Sequence, residues 1–145
     1  MASITDFMTN DHRACDDIFA LAEESVANGK WPKAKTEFAN FCAEIERHLV
    51  MEEEILFPAF ETKSGMQGGP TVVMRSEHQQ MRKLIADMAQ SVETNDRDGY
   101  LGLSETLMVL TQQHNMKEEQ MLYHMMDQTF GAEATALLTR AGAAL

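Results

Sequence analysis

"HLVMEEEILFP", residues His48 to Pro58, is matched later in the chain by "HNMKEEQMLYH", His114 to His124. Each copy carries a histidine, glutamates at +4 and +5, a leucine at +8 and an aromatic at +9. In a helix, the residue at +4 lies about one turn from the histidine on the same face, whereas +5 turns roughly 100° further round. His48 and Glu52, like His114 and Glu118, therefore share a face. That face is otherwise apolar.

Working outward, 3–4 spacing of apolar residues extends through most of the chain, and alternating strand patterns are nearly absent. The first stripe is Met8, His12, Cys15, Phe19, Ala22 and Val26; the second is Phe38, Phe41, Ile45, His48, Glu52, Ile55 and Ala59. The third is Met74, His78, Met81, Ile85, Met88 and Val92; the fourth is Leu103, Leu107, Leu110, His114, Glu118, Met121 and Met125. Breaks fall at "NGKWP" (28–32), "KSGMQGGP" (63–70) and "TNDRDG" (94–99), rich in helix-ending and helix-starting residues. The expected fold is all-α: an up-down-up-down four-helix bundle forming one domain over residues 1–145. The segment "GAEATALLTRAGAAL" adds a short C-terminal helix across it.

Each stripe contains one histidine. In an antiparallel hairpin, two residues share a height when the turn falls midway between them. The midpoint of His12 and His48 is residue 30, that of His48 and His78 is 63, and that of His78 and His114 is 96. All three lie in or at the edge of the breaks. Four core-facing histidines are thus expected at one level of the bundle, together with Glu52 and Glu118.

Burying six such groups without a shared partner would cost several kcal/mol. A metal satisfies all of them. Imidazole nitrogen with carboxylate oxygen suits iron, manganese or zinc, and six protein donors are too many for one tetrahedral zinc. Shared between two ions, two histidines each with both glutamates bridging, they give four protein donors per ion. An oxo or hydroxo bridge would supply a fifth, and iron is the preferred metal. Ferritin-like sites use Glu-x-x-His, acid first; here the order is His-x-x-x-Glu.

These motifs, with "NDH" in the first helix and "SEHQQM" in the third, resemble the hemerythrin-like (HHE cation-binding) domain from His12 to about Asp127. The resemblance implies His12, His48, His78 and His114 as terminal iron ligands and Glu52 and Glu118 as bridges. The ligand set is similar to the di-iron domain of repair-of-iron-centres proteins, which act under nitrosative and oxidative stress. Oxygen-carrying hemerythrins have two histidines four residues apart on the third helix; here Met74 and Arg82 flank His78 at those spacings. The functions implied are binding or reaction with O2, NO or peroxide, or iron donation. An iron-responsive sensor or interaction module without turnover is the alternative.

The remaining candidates carry weaker expectations. Glu53, Glu54 and Glu119 read as a solvated face, with Glu119 able to replace Glu118 if the fourth helix is rotated. Asp16, at +4 from His12, reads as a solvated acid, or else as one that orients an imidazole. His124 is expected at the surface, Phe57 and Tyr123 as wall aromatics, with a hydrogen bond from Tyr123 to a ligand as the alternative, and Cys15 as a small buried hydrophobe or else a redox-sensitive thiol. Met74, Met81, Met88, Met121 and Met125 are expected in the core.

Bulk properties bound the class. A net charge of −11 argues against nucleic acid, and no apolar run approaches a membrane span. Two cysteines make no disulfide framework, and the N-terminus lacks an export pattern, so a cytoplasmic location is expected. The expected partner is a small diatomic or peroxide ligand, for a chain acting as a monomer or homodimer.

Overall fold

Ser3 starts the first helix, its hydroxyl accepting from the Asp6 N–H. This helix, α1, runs from Ile4 to Ala27 in a computed structural model that describes residues 3–142. Gly29, with φ 67°, carries the chain into α2 (Trp31–Met51), which has Pro32 in its first turn. Helix α2 does not end at Met51. It passes through one wide turn, Glu52–Leu56, into α3 (Phe57–Ser64), where Gly65 in the left-handed region closes it. Next come α4 (Pro70–Glu93) and α5 (Arg97–Lys117), the latter capped by the Asp96 side chain. A second wide turn, Glu118–Leu122, leads into α6 (Tyr123–Phe130). A 3₁₀ turn at Gly131–Glu133 precedes α7 (Ala134–Arg140). No strand occurs among the described residues.

Helix α1 packs on α2 and α5, and α4 on α2 and α5, which closes four long antiparallel rods into a bundle. Helix α7 lies over one end, with Ala134, Leu137 and Leu138 buried against the same cluster as Ile4, Met8 and Leu56. The final residues of the expected terminal helix, 143–145, lie outside the described ones. The apolar interior has two parts. One, at the α7 end, contains Met51, Phe57, Phe60, Met74, Tyr123 and Met126. The other contains Phe19, Phe38, Phe41, Ile45, Met81 and Tyr100. No helix among the described residues is long and apolar enough to cross a membrane.

The wide turns are where the structure departs from the sequence pattern. In each, a backbone N–H reaches five residues back: Phe57 to the Glu52 carbonyl and Tyr123 to that of Glu118. One extra residue per turn rotates everything downstream by about 100° relative to a regular helix. The stripe expected through Ile55 and Ala59 therefore moves to Leu56 and Phe60, which are fully buried. On the fourth rod it moves from Met121 and Met125 to Leu122 and Met126. Met121, expected in the core, is 59% exposed, and Met125 is half-buried; Met74, Met81 and Met88 are buried. In the first turn, Pro58 brings no N–H, and Arg75 instead donates to the Glu53 carbonyl at 3.3 Å.

This shift is measurable. Leu122→Ala should cost about 2–5 kcal/mol by emptying a packed site, while Met121→Ala should stay within about 0.5 kcal/mol of wild type. Denaturant titration of both variants checks it. The reverse ranking is what a regular helix would give.

Candidate metal centre

Between the two apolar clusters lies one polar layer. His12, His48, His78, His114, Glu52 and Glu118 are all buried, both glutamates completely. The bundle thus brings together all six residues singled out from the sequence. Two groups of donor atoms lie within 4.8 Å of one another: Glu52, His78, His114 and Glu118, and His12, His48 and Glu118. The imidazoles pair across neighbouring rods, His12 with His48 at 4.7 Å between ring centres and His78 with His114 at 4.9 Å. Each carboxylate stands between the pairs. Glu52 Oε1 is 3.5 Å from His48 Nε2 and 3.2 Å from His78 Nε2. Glu118 Oε1 is 3.1 Å from His12 Nε2 and 3.3 Å from His114 Nε2.

The outward nitrogens explain why the inner ones converge. Every Nδ1 meets a carboxylate: Asp11 for His48 at 2.6 Å, Glu53 for His78 at 2.7 Å, Glu77 for His114 at 2.8 Å and Glu119 for His12 at 2.7 Å. An N–H donated there fixes the tautomer and leaves the Nε2 lone pair facing inward. The Nε2 atoms of His48, His78 and His114, with Glu52 Oε1 and Glu118 Oε2, are buried without a hydrogen-bond partner. Unpaired buried polar atoms are costly. A cation at their meeting point would satisfy them. The donor set, nitrogen and oxygen without sulfur, fits such an ion.

Glu53 and Glu119 are thus not the solvated face expected of them; only Glu54 is exposed. Glu118 is the inward acid of the fourth rod, and Glu119 serves an imidazole. Asp16 is exposed, and the acid beside the α1 histidine that meets an imidazole is Asp11. Neither Asp11 nor Glu77 was singled out from the sequence, although each immediately precedes a histidine. Arg82, one of the positions flanking His78, pairs with Glu46 and Glu53. Met74, the other, is buried in the core. His124 is exposed. Cys15 is buried, and burial pushes its thiol up to about 12, so it stays a neutral wall group.

Tyr123 is more than a wall. Its buried hydroxyl lies 2.6 Å from Glu52 Oε2 and 2.8 Å from Glu118 Oε1, offering its proton to the carboxylate pair. It also approaches His12 Nε2 to 3.1 Å. Its counterpart in the repeat, Phe57, stacks on His78 with no hydroxyl to offer. At this position the two halves of the layer differ by one oxygen atom.

A family comparison agrees with this geometry: the Hemerythrin HHE cation binding domain matches residues 3–126. The chain belongs to that family. No curated protein and no solved structure gives a significant match. Membership of the hemerythrin family makes this a cation-binding fold, and the matched span contains all six buried donors and all four acids behind the imidazoles.

Without metal, charge must come from protons. Burial opposes a charge on His12, but Glu118, Glu52 and Glu119 outweigh it and raise the imidazole from 6.5 to about 9. His114 is likewise raised to about 9, burial being outweighed by Glu118, Glu52 and Glu77. Burial, then Glu118 opposite, holds the Glu52 carboxyl protonated well above the usual range. Against burial, Glu52 and His114 hold Glu118 well below it. A histidine raised in the fold stabilises it fully below its unfolded value and loses that contribution as pH rises through the folded one. The metal-free protein should therefore lose melting temperature between pH 6.5 and about 9. Metal affinity should rise over the same interval, because binding must displace these protons. Thermal melts of chelator-treated protein and metal titrations across that range check both signs.

Proposed function

We propose that the chain is a non-heme di-iron protein that binds or reacts with a small oxidant or diatomic: O2, NO or a peroxide. His12 and His48 would hold one ion and His78 and His114 the other, with Glu52 and Glu118 shared between them. The observation that carries this reading is the convergence of unpartnered Nε2 and carboxylate atoms, each glutamate lying between one histidine of either pair. Nitrogen and oxygen donors without sulfur favour iron over softer-ligand metals. Bound iron would supply electrons, one per ion, to such a ligand.

The chain's own groups have separate tasks. Asp11, Glu53, Glu77 and Glu119 hold the imidazoles in the tautomer that presents Nε2. Arg47, Arg82 and Lys117 in turn pair with Asp11, Glu53 and Glu77 and fix those acids. The Tyr123 hydroxyl holds a proton beside the shared carboxylates. Met74 and Arg82 supply no imidazole, so the two ions have equal numbers of protein donors. That symmetry fits reactive chemistry better than reversible carriage, for which one saturated and one open ion are wanted.

Metal analysis of variants tests the assignment. Wild type should carry about two irons per chain, and Glu52→Ala or Glu118→Ala one or fewer, as for loss of a shared donor. Glu53→Gln and Glu119→Gln should keep the site but weaken iron binding about 10–100-fold. Full iron in both Glu52 and Glu118 variants would sink the proposal. Reactivity has its own check: the ferrous-loaded protein should turn ferric in air, followed by its absorption, and degassing should not restore it. Full recovery on degassing would make it a carrier.

A further inference from the structure

The polar layer is closed on one side and open on the other. Towards α7, Phe57 and Tyr123 lie over it, packed in that apolar cluster. On the opposite side, three of its imidazoles (His12, His48 and His114) form one end of a cavity of about 160 Å³. The cavity walls include Phe19, Phe41, Ile45, Leu49, Met81 and Leu107, all buried and apolar. Its mouth lies between α1 and α5, where Asp16, Ala20 and Gln112 are exposed and Glu23 is half-buried.

Size, wall and charge each narrow what such a space takes. Natural cores keep few voids larger than a water molecule, and an apolar cavity of about 150 Å³ holds a molecule the size of benzene. A diatomic would leave most of this space empty. These six apolar residues offer no partner for a polar body, so a ligand's polar atoms fit at the imidazole end or along the α5 side of the mouth, where Thr111, Gln112 and Asn115 line the space. The lining includes Asp16 and Glu23 but no lysine or arginine. On a chain of net charge −11, that disfavours anions on approach and on burial.

We propose that this cavity is a binding site for a small uncharged organic molecule with an apolar body, held with its polar end towards the polar layer that His12, His48 and His114 border. Short-chain alkyl hydroperoxides belong to that class, so the site would select organic peroxides among the ligands proposed above. The choice of a hydroperoxide rests on the di-iron reading; the cavity and its size do not.

The test uses metal-loaded protein of measured iron content and two probes, benzene and benzoate, followed by titration calorimetry. Benzene should bind saturably at one per chain, and benzoate about tenfold or more weakly, because its charge would be buried. Leu107→Phe, which fills the cavity, should weaken benzene about tenfold while iron content stays at the wild-type level. Should that variant fold poorly, Ala20→Trp replaces an exposed residue at the mouth and should weaken benzene in the same titration without changing the melting temperature. Absence of saturable benzene binding by wild type overturns the proposal, as does benzoate binding equally well or both variants behaving as wild type. Benzene binding by a protein that takes up no iron would instead overturn the di-iron reading and leave the cavity's role standing.

Discussion

Two carboxylates, Glu52 and Glu118, face each other with no solvent exposure in the middle of a helical core. Neither can keep its charge there without positive partners, and the surrounding polar structure answers that requirement. Four imidazoles approach from four rods. In the metal-free molecule the carboxylates raise His12 and His114 to about 9, so that these two approach as cations, while burial and His114 lower His78 and Glu52 retains a proton. Two divalent ions would replace those protons with charges that also satisfy the unpaired nitrogens. The centre is thus a polar layer that the bundle tolerates in protonated form and that metal would stabilise.

The acids behind the imidazoles form a closed circuit. Asp11 on α1 serves His48 on α2, and Glu53, in the turn after α2, serves His78 on α4. Glu77 on α4 serves His114 on α5, and Glu119, in the turn after α5, returns to His12 on α1. Each rod therefore orients the histidine of the next, and displacing one rod loosens a ring on its neighbour. The wide turns belong to this circuit, since they begin at Glu52 and Glu118 and contain Glu53 and Glu119. By rotating the chain beyond them, they also bury Leu56, Phe57, Leu122 and Tyr123 over the layer.

Much of this was legible in the sequence, and for definite reasons. Apolar periodicity marked the rods, and the repeat with its midpoint arithmetic placed the six inward groups at one height. What escaped was whatever depended on hydrogen bonds between rods or on a departure from 3.6 residues per turn. A regular helix would place Met121 in the core, and the wide turn puts Leu122 there instead. Glu53 and Glu119 read as solvated from the periodicity of their own helix, whereas each meets the Nδ1 of an imidazole on a neighbouring rod. Asp16 is exposed, as its solvated reading expects, and the imidazole contact on that rod comes from Asp11, which points across to α2. "DH" at 11–12 and "EH" at 77–78 were the available signal, an acid beside a histidine in both rods that lack the repeated motif. The asymmetry between Phe57 and Tyr123 was visible in the repeat, but its meaning needed the hydroxyl's position between the carboxylates.

The central claim is that two ions sit in this layer, each held by one pair of histidines and both by the two glutamates. Diffraction from crystals of the iron-loaded protein, collected at the iron absorption edge, tests it most directly. Two anomalous peaks about 3.5–4 Å apart are expected, one beside His12 and His48 and the other beside His78 and His114, with Glu52 and Glu118 reaching both. A single peak, or iron bound outside the layer, would contradict the claim.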